Sequence, residues 1–330
     1  MSGGRAVPFR MRFGPDDLLR CRFAVSPLWE TEGAVRTLKE PGLQAYHMPW
    51  LRQTREAARA LDLTPLWLLM PRPGHSPDFL CPPPLGPSAA IEDELARVRA
   101  TDPEVARQDL ARSLADTPGA AATPQGRAML ADPARAVREL ADLYERAWQA
   151  LVAPYWPRLR AVLEADIAFR ARRLADGGLS GLFAGLHPSL SWADDTLTLH
   201  KPTEHERDLG GDGLVLAPSV FVWPDLAAGF DPPWQGTVVY PARGIGGLWQ
   251  APQAASEALV RLLGANRAAI LGGLGEPATT TGLAHRHGLA LSSVSAHLAV
   301  LRDAGLLTSR RYGHQVLYER TPLGGALAGD

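Results

Sequence analysis

The sequence predicts an α+β protein on three observations. Apolar residues recur at helical spacing through the first half of the chain, from Leu28, Val35 and Leu38 to Leu140, Leu143 and Leu151. From Leu190 the period shortens to strand-like runs broken by Asp, Gly and Pro, as in a small antiparallel sheet. Between Leu283 and Arg320 the order is helix, turn, helix and β-hairpin.

In chain order, residues 1–12 read as a disordered extension. Asp16–Val25 carries a short helical pattern with Leu18, Leu19 and Phe23. Ser26-Pro27 has the form of an N-cap followed by Pro at the first helical position, which predicts a helix over Pro27–Lys39. A further helix, Trp50–Leu61, carries Arg52, Arg55 and Arg59 on its outer face, either a solvated surface or a contact for an acidic partner or DNA backbone. Leu66–Met70 is a short apolar run, strand or buried helix end. Pro71–Pro87 holds seven prolines and reads as an extended linker or surface loop. Helices follow at about Ser88–Ala100, Pro103–Ala115, Pro133–Val152 and Arg158–Ala175, and Gly177-Gly178 closes the helical region. The last two helices are expected to pair as an antiparallel hairpin or a dimer seam. Strands are predicted at Leu190–Trp192, Thr196–His200, Leu214–Ala217, Val220–Trp223 and Thr237–Tyr240, with Asp194-Asp195 as a hairpin turn. Gly244–Gly247 and Pro252 make a hinge into a helix at Ser256–Leu263. The chain is thus divided into an α+β sensing or dimerising region, 13–247, and a C-terminal domain, 248–330.

The C-terminal domain carries the clearest chemistry. Leu283 and Ala284 point a first short helix inward, and Gly288 ends it. In a second helix, from about Ser292 to Ala304, Val294, Leu298 and Leu301 form one buried stripe. Gly305 stops that helix. Leu306–Ser309 and Gln315–Arg320 then flank a tip bearing Arg310, Arg311 and His314. This order is a winged helix-turn-helix. A helix entering the major groove must show small or polar side chains while its back packs on the core. Ser292, Ser293, Ser295, Ala296 and Ala299 lie off the apolar stripe and meet that need. From Ser256 onward seven Arg face five acids, so the domain is mildly basic although the whole chain carries −1. The DNA-binding candidates are Ser292, Ser293, Ser295, Ala296, His297, Arg302, Arg310, Arg311, His314 and Gln315.

The run Val294-Ser295-Ala296-His297-Leu298, with Leu301 and then Asp303-Ala304-Gly305-Leu306-Leu307, resembles the ArsR-type winged-helix regulators of bacteria. The resemblance implies that Ser292, Ser293, Ser295 and Ala296 face bases or phosphates and that His297 is structural. Ala296 and Leu291 depart from the family's more polar residues at those places. The metal sensors of that family carry Cys-x-Cys on the preceding helix, whereas no Cys follows Cys81 here. Asp17–Glu30 and Tyr240–Gly244 are similar to an uncharacterised region found before ArsR-type domains in GC-rich bacteria, which implies a two-part regulator.

Composition bounds the rest. The chain has 330 residues, 46% of them hydrophobic, enough for two domains and a sizeable core. Two cysteines, Cys21 and Cys81, make no disulfide framework and fit a reducing cytoplasm. Neither a signal peptide nor an apolar run of membrane-spanning length occurs. P-loop, Gly-x-Ser-x-Gly and His-Glu-x-x-His patterns are missing, so no enzyme activity, cofactor or metal is expected. All nine tryptophans precede the helix at Ser256 that starts the winged helix-turn-helix; they are core residues or the lining of a pocket for a small effector. The expected function is a cytoplasmic transcription regulator, a repressor, binding double-stranded DNA as a homodimer. The alternative is a ligand-binding or enzymatic upstream domain whose winged helix contacts protein.

Overall fold

The computed structural model of the protein describes residues 9–43, 45–200, 205–229, 234–249, 256–275, 277–312 and 315–328. The α+β class holds. By contacts the chain divides into two compact units, Met1–Pro154 with Ala171–Pro241, and Tyr155–Arg170 with Ala242–Asp330.

In the first unit the predicted helix Pro27–Lys39 forms with the predicted cap: Ser26 Oγ accepts the Trp29 N–H at 3.0 Å, and Pro27 is first in the helix. Helices Ile91–Arg99 and Pro133–Ala147 pack on it and on each other, and Pro103–Asp116 packs on Pro133–Ala147. Leu95, Val98, Leu110, Leu140 and Tyr144 are buried there. The last of these helices continues as a π-helical turn, Trp148–Val152.

The strands are β1 (Phe9–Arg12), β2 (Arg22–Phe23), β3 (Leu190–Ala193), β4 (Thr196–Leu199), β5 (His205–Asp208), β6 (Leu214–Ser219), β7 (Ala227–Gly229) and β8 (Gly236–Pro241). They make two four-stranded sheets, ordered β3-β4-β1-β5 and β2-β6-β8-β7. Strand directions are mixed rather than antiparallel throughout: β2, β6 and β8 run parallel, as do β1 and β5. Asp194 and Asp195 form the predicted two-residue turn between β3 and β4, both at φ near +50°.

Five expectations are corrected. Phe9–Arg12 is not a disordered extension but the inner strand β1, with Phe9 and Met11 buried; residues 1–8 lie outside the described ones. Asp16–Val25 is a helix only over Pro15–Arg20, because Arg22 and Phe23 pair with Val215 and Leu216. Trp50–Leu61 is two short helices, Met48–Gln53 and Arg55–Arg59. Pro71–Pro87 is irregular apart from a 3-10 turn at Asp78–Leu80, and it is no surface linker: Phe79 to Pro84 are buried. Proline brings no N–H to satisfy, so only carbonyls need partners. Arg97 gives one to Pro83 O at 2.7 Å, and Arg22 binds the carbonyls of Pro84 and Gly86. Val220–Trp223, expected as a strand, is instead a bend following β6.

The helix Trp156–Phe183 runs through Gly177 and is broken at Gly178, where φ is 59°. Its first part, to Arg170, belongs to the second unit. The expected hairpin of Leu140, Leu143, Ala147 and Leu151 against Leu159, Val162, Leu163 and Phe169 therefore spans residues assigned to different units, and the 247/248 division omits this helix. The cause is a buried ionic knot. Asp166 accepts the Arg243 N–H at 3.1 Å and lies 3.7 Å from Arg170, and the Arg243 guanidinium stacks 3.7 Å from the Phe169 ring centre.

Buried ionisable groups fix the loop after β6. Glu30 is fully buried; both its oxygens accept the Val220 N–H at 3.1 Å. His47, also fully buried, donates from Nε2 to Val220 O at 3.1 Å. Burial pushes the Glu30 carboxyl up to about 8, and burial pushes Glu94, which holds Ser26 and the Leu28 N–H, up to about 7. Burial lowers His47 to about 4. The raised carboxyls contribute stability that is complete below about 4.5 and is lost as pH rises through 7 to 8. The lowered His47 contributes stability present above 6.5 and lost as pH falls through about 4. The melting temperature is thus expected to fall from pH 6 to pH 9 by the equivalent of a few kcal/mol. Glu30→Gln should flatten that fall. Melts followed by circular dichroism at both pH values check this, and equal slopes for the two proteins would contradict it.

Candidate nucleic-acid interface

Besides the first part of helix Trp156–Phe183, the second unit holds helices Glu257–Leu263, Ala265–Gly272, Thr280–His287, Leu291–Asp303 and Pro322–Ala328, with strands β9 (Ala278–Thr279), β10 (Leu307–Tyr312) and β11 (Gln315–Arg320). The sheet order is β10-β11-β9, antiparallel. Leu283, Val294, Leu298 and Leu301 share one core with Ile270, Leu271, Leu306 and Leu307. Gly288 and Gly305 have φ of 63° and 71°, the left-handed conformation that lets the chain leave each helix sharply.

Helix Leu291–Asp303 is two-faced. Val294, Leu298 and Leu301 are buried, whereas Ser292, Ser293, Ser295 and Ala296 are exposed. His297 is half-buried at the edge of the stripe. Between Leu291 and Arg302 the helix has no acidic residue, so its exposed face presents hydroxyls and methyls to a partner. The helix cap is Ala290, which supplies no side-chain acceptor. The first intrahelical bond is Val294 N–H to Ala290 O at 3.0 Å. The N–H groups of Leu291, Ser292 and Ser293 are therefore left for water or for an anion such as phosphate.

Arg302 is exposed beside Asp303, at 3.5 Å. Arg310 and Arg311 are exposed, but they are strand residues, not the hairpin tip. Their partners across the hairpin are Leu317 and Val316. Successive strand residues point to opposite faces, so the two guanidiniums flank the wing on its two sides. Arg310 lies 3.4 Å from Glu319, which a phosphate would have to replace. His314 falls outside the described residues, as does the side chain of Gln315, which pairs with Tyr312 through the backbone.

Two apolar residues of this helix are exposed: Leu291, already marked by its departure from the family's polar residue, and Val300, which the sequence reading passed over. Leu291 is 54% exposed and Val300 50%, bracketing the serine face. Exposed apolar groups at this place can contact a thymine methyl in the major groove. Their signal was legible, since both lie off the Val294/Leu298/Leu301 stripe. The histidines near this helix form no metal cluster among the described residues, and the His285 side chain lies outside them.

Residues 262–310 match the model of a helix-turn-helix domain. The chain carries a helix-turn-helix domain. That supports, in general terms, a DNA-binding transcription regulator. Residues 88–246 match a family of unknown function (DUF5937). Tyr240–Gly244 fall inside that match and Asp17–Glu30 precede it. No curated protein and no solved structure matches the chain. No helix among the described residues is long and apolar enough to cross a membrane.

Proposed function

We propose that the protein is a transcriptional repressor of the ArsR type, not an enzyme, which binds a palindromic operator in double-stranded DNA as a homodimer in the cytoplasm. Helix Leu291–Asp303 enters the major groove, Ser292, Ser293, Ser295 and Ala296 meet base edges, and the β10–β11 wing meets backbone phosphate. A small effector in the first unit controls it. The observation that carries this reading is the two-faced helix: four small exposed side chains in front, three buried ones behind, and no carboxylate before Asp303. Such a face is poor in charge, so affinity must come from helix N–H groups, Arg302, Arg310 and Arg311, and from doubling the domain.

Gel shifts on the promoter of its own gene, at several salt concentrations, test the proposal. The expected result is a sequence-preferring shift that weakens steeply with salt. A protein that shifts no DNA, or shifts every sequence alike, is not this regulator. A helix face used for protein contact would give the first of those outcomes.

A further inference from the structure

The first unit contains a cavity of about 820 Å³, within the range of small-molecule sites. It lies where ligands sit in parallel sheets, beyond the carboxyl end of a strand. There Ser219 ends β6, Phe221 and Val222 follow it, and Trp29, Tyr144, Leu66 and Leu80 complete apolar and aromatic walls. The rim is preorganised. Glu30 and His47 clamp the backbone of Val220 from both sides, and Phe221 packs on the rings of His47 and Trp50 at 4.9 and 4.7 Å.

Charge on the walls gives the ligand its sign. Arg36 is neutralised by Glu32 at 2.6 Å and is also bonded to Ser76. Arg72 meets two carboxylates, Glu40 at 3.1 Å and Asp225 at 3.4 Å. Arg112 and Asp78 add one charge of each sign, and Lys39 reaches the carbonyl of Met70. Asp116, a further carboxylate, accepts the His75 N–H at 2.6 Å. His75 pairs with Asp109. Among the residues that line the space itself, four carboxylates (Glu32, Asp78, Asp116, Asp225) stand against three arginines (Arg36, Arg72, Arg112), and the aromatic faces of its walls attract cations.

We infer that this cavity binds a lipophilic cation: an apolar, aromatic-bodied small molecule carrying one delocalised or quaternary positive charge. Its apolar body fills the space between Trp29, Tyr144 and Phe221, and its charge lies toward Asp225 and Asp116. As the effector it rests on the regulator proposed above. Binding itself is measured without DNA, so the two ideas fail separately.

The test uses the full chain and two probes of one shape and opposite charge, tetraphenylphosphonium and tetraphenylborate. Each is titrated while tryptophan fluorescence and the unfolding temperature are followed. The expected result is saturable binding of the phosphonium, at least about tenfold tighter than the borate, a difference near 1.4 kcal/mol. Asp225 is exposed enough for Asp225→Asn to fold, and this variant should narrow that ratio several-fold. Val222→Trp, which fills the cavity mouth, should abolish binding of the phosphonium. Equal or tighter borate binding overturns the inference. So does failure of the phosphonium to saturate below about 1 mM, or an unchanged ratio in Asp225→Asn. Undiminished binding in a folded Val222→Trp protein would place the probe elsewhere and also overturn it.

Discussion

Replacing Leu298 by Ala is expected to destabilise the second unit by roughly 2–5 kcal/mol and to remove DNA binding with it. Leu298 is fully buried, midway along the stripe between Val294 and Leu301. The helix carrying it packs on Ala265–Gly272, Thr280–His287 and β10, so the lost side chain leaves a hole at the centre of that core. Small domains are stable by only about 5–15 kcal/mol, and the loss is a large share of that. Ser295→Ala is the matched control: it is one position off the stripe and exposed, so its stability cost should stay within about 0.5 kcal/mol. Urea unfolding of both variants, alongside their gel shifts, separates fold from readout. A Leu298→Ala protein as stable as the parent would mean that the core is not built on this stripe.

The double variant Arg310→Ala with Arg311→Ala is expected to fold normally and to bind promoter DNA about 10- to 100-fold more weakly at physiological salt. Both residues are exposed on the wing. The slope of log affinity against log salt should fall by about one to two, since each phosphate contact contributes close to one. A full two is reached only if both reach phosphate. Their opposite faces on β10, and the Glu319 carboxylate 3.4 Å from Arg310, favour a value nearer one. Fluorescence anisotropy over a salt series measures the slope. An unchanged slope would remove the wing from the interface.

The second unit was legible because each of its signals is local. Gly288 and Gly305 mark two helix ends, and the Val294/Leu298/Leu301 spacing orients the helix between them without reference to anything distant. The length of the hairpin escaped, since Arg310 and Arg311 have no turn chemistry of their own and continue the strand, and so did β9 and the helices Ala265–Gly272 and Pro322–Ala328. The first unit was legible where the same held, as at Ser26-Pro27 and Asp194-Asp195. It was not where distant segments decide. Phe9–Arg12 is a strand because β4 and β5 flank it, some 190 residues on. The proline-rich stretch is buried because Arg22 and Arg97 reach its carbonyls. Of the nine tryptophans, Trp29 alone lines the cavity among the described residues; Trp50 and Trp67 donate to backbone carbonyls of Leu151 and Val35. Nothing local in the sequence distinguishes these roles.

Cleavage of promoter DNA from a fixed point on the helix measures the interface most directly. An iron chelate attached at Ser293→Cys in a Cys21→Ser background, with Cys81 buried, would report which groove lies beside that residue. The expected pattern is strand breaks across one major-groove face, repeated in two half-sites about ten base pairs apart or a multiple of that. The Cys21→Ser protein treated with the same chelate but lacking the Ser293→Cys change should leave the DNA uncut. No cuts from Ser293, on DNA that the protein binds, would contradict the assignment of this helix to the groove.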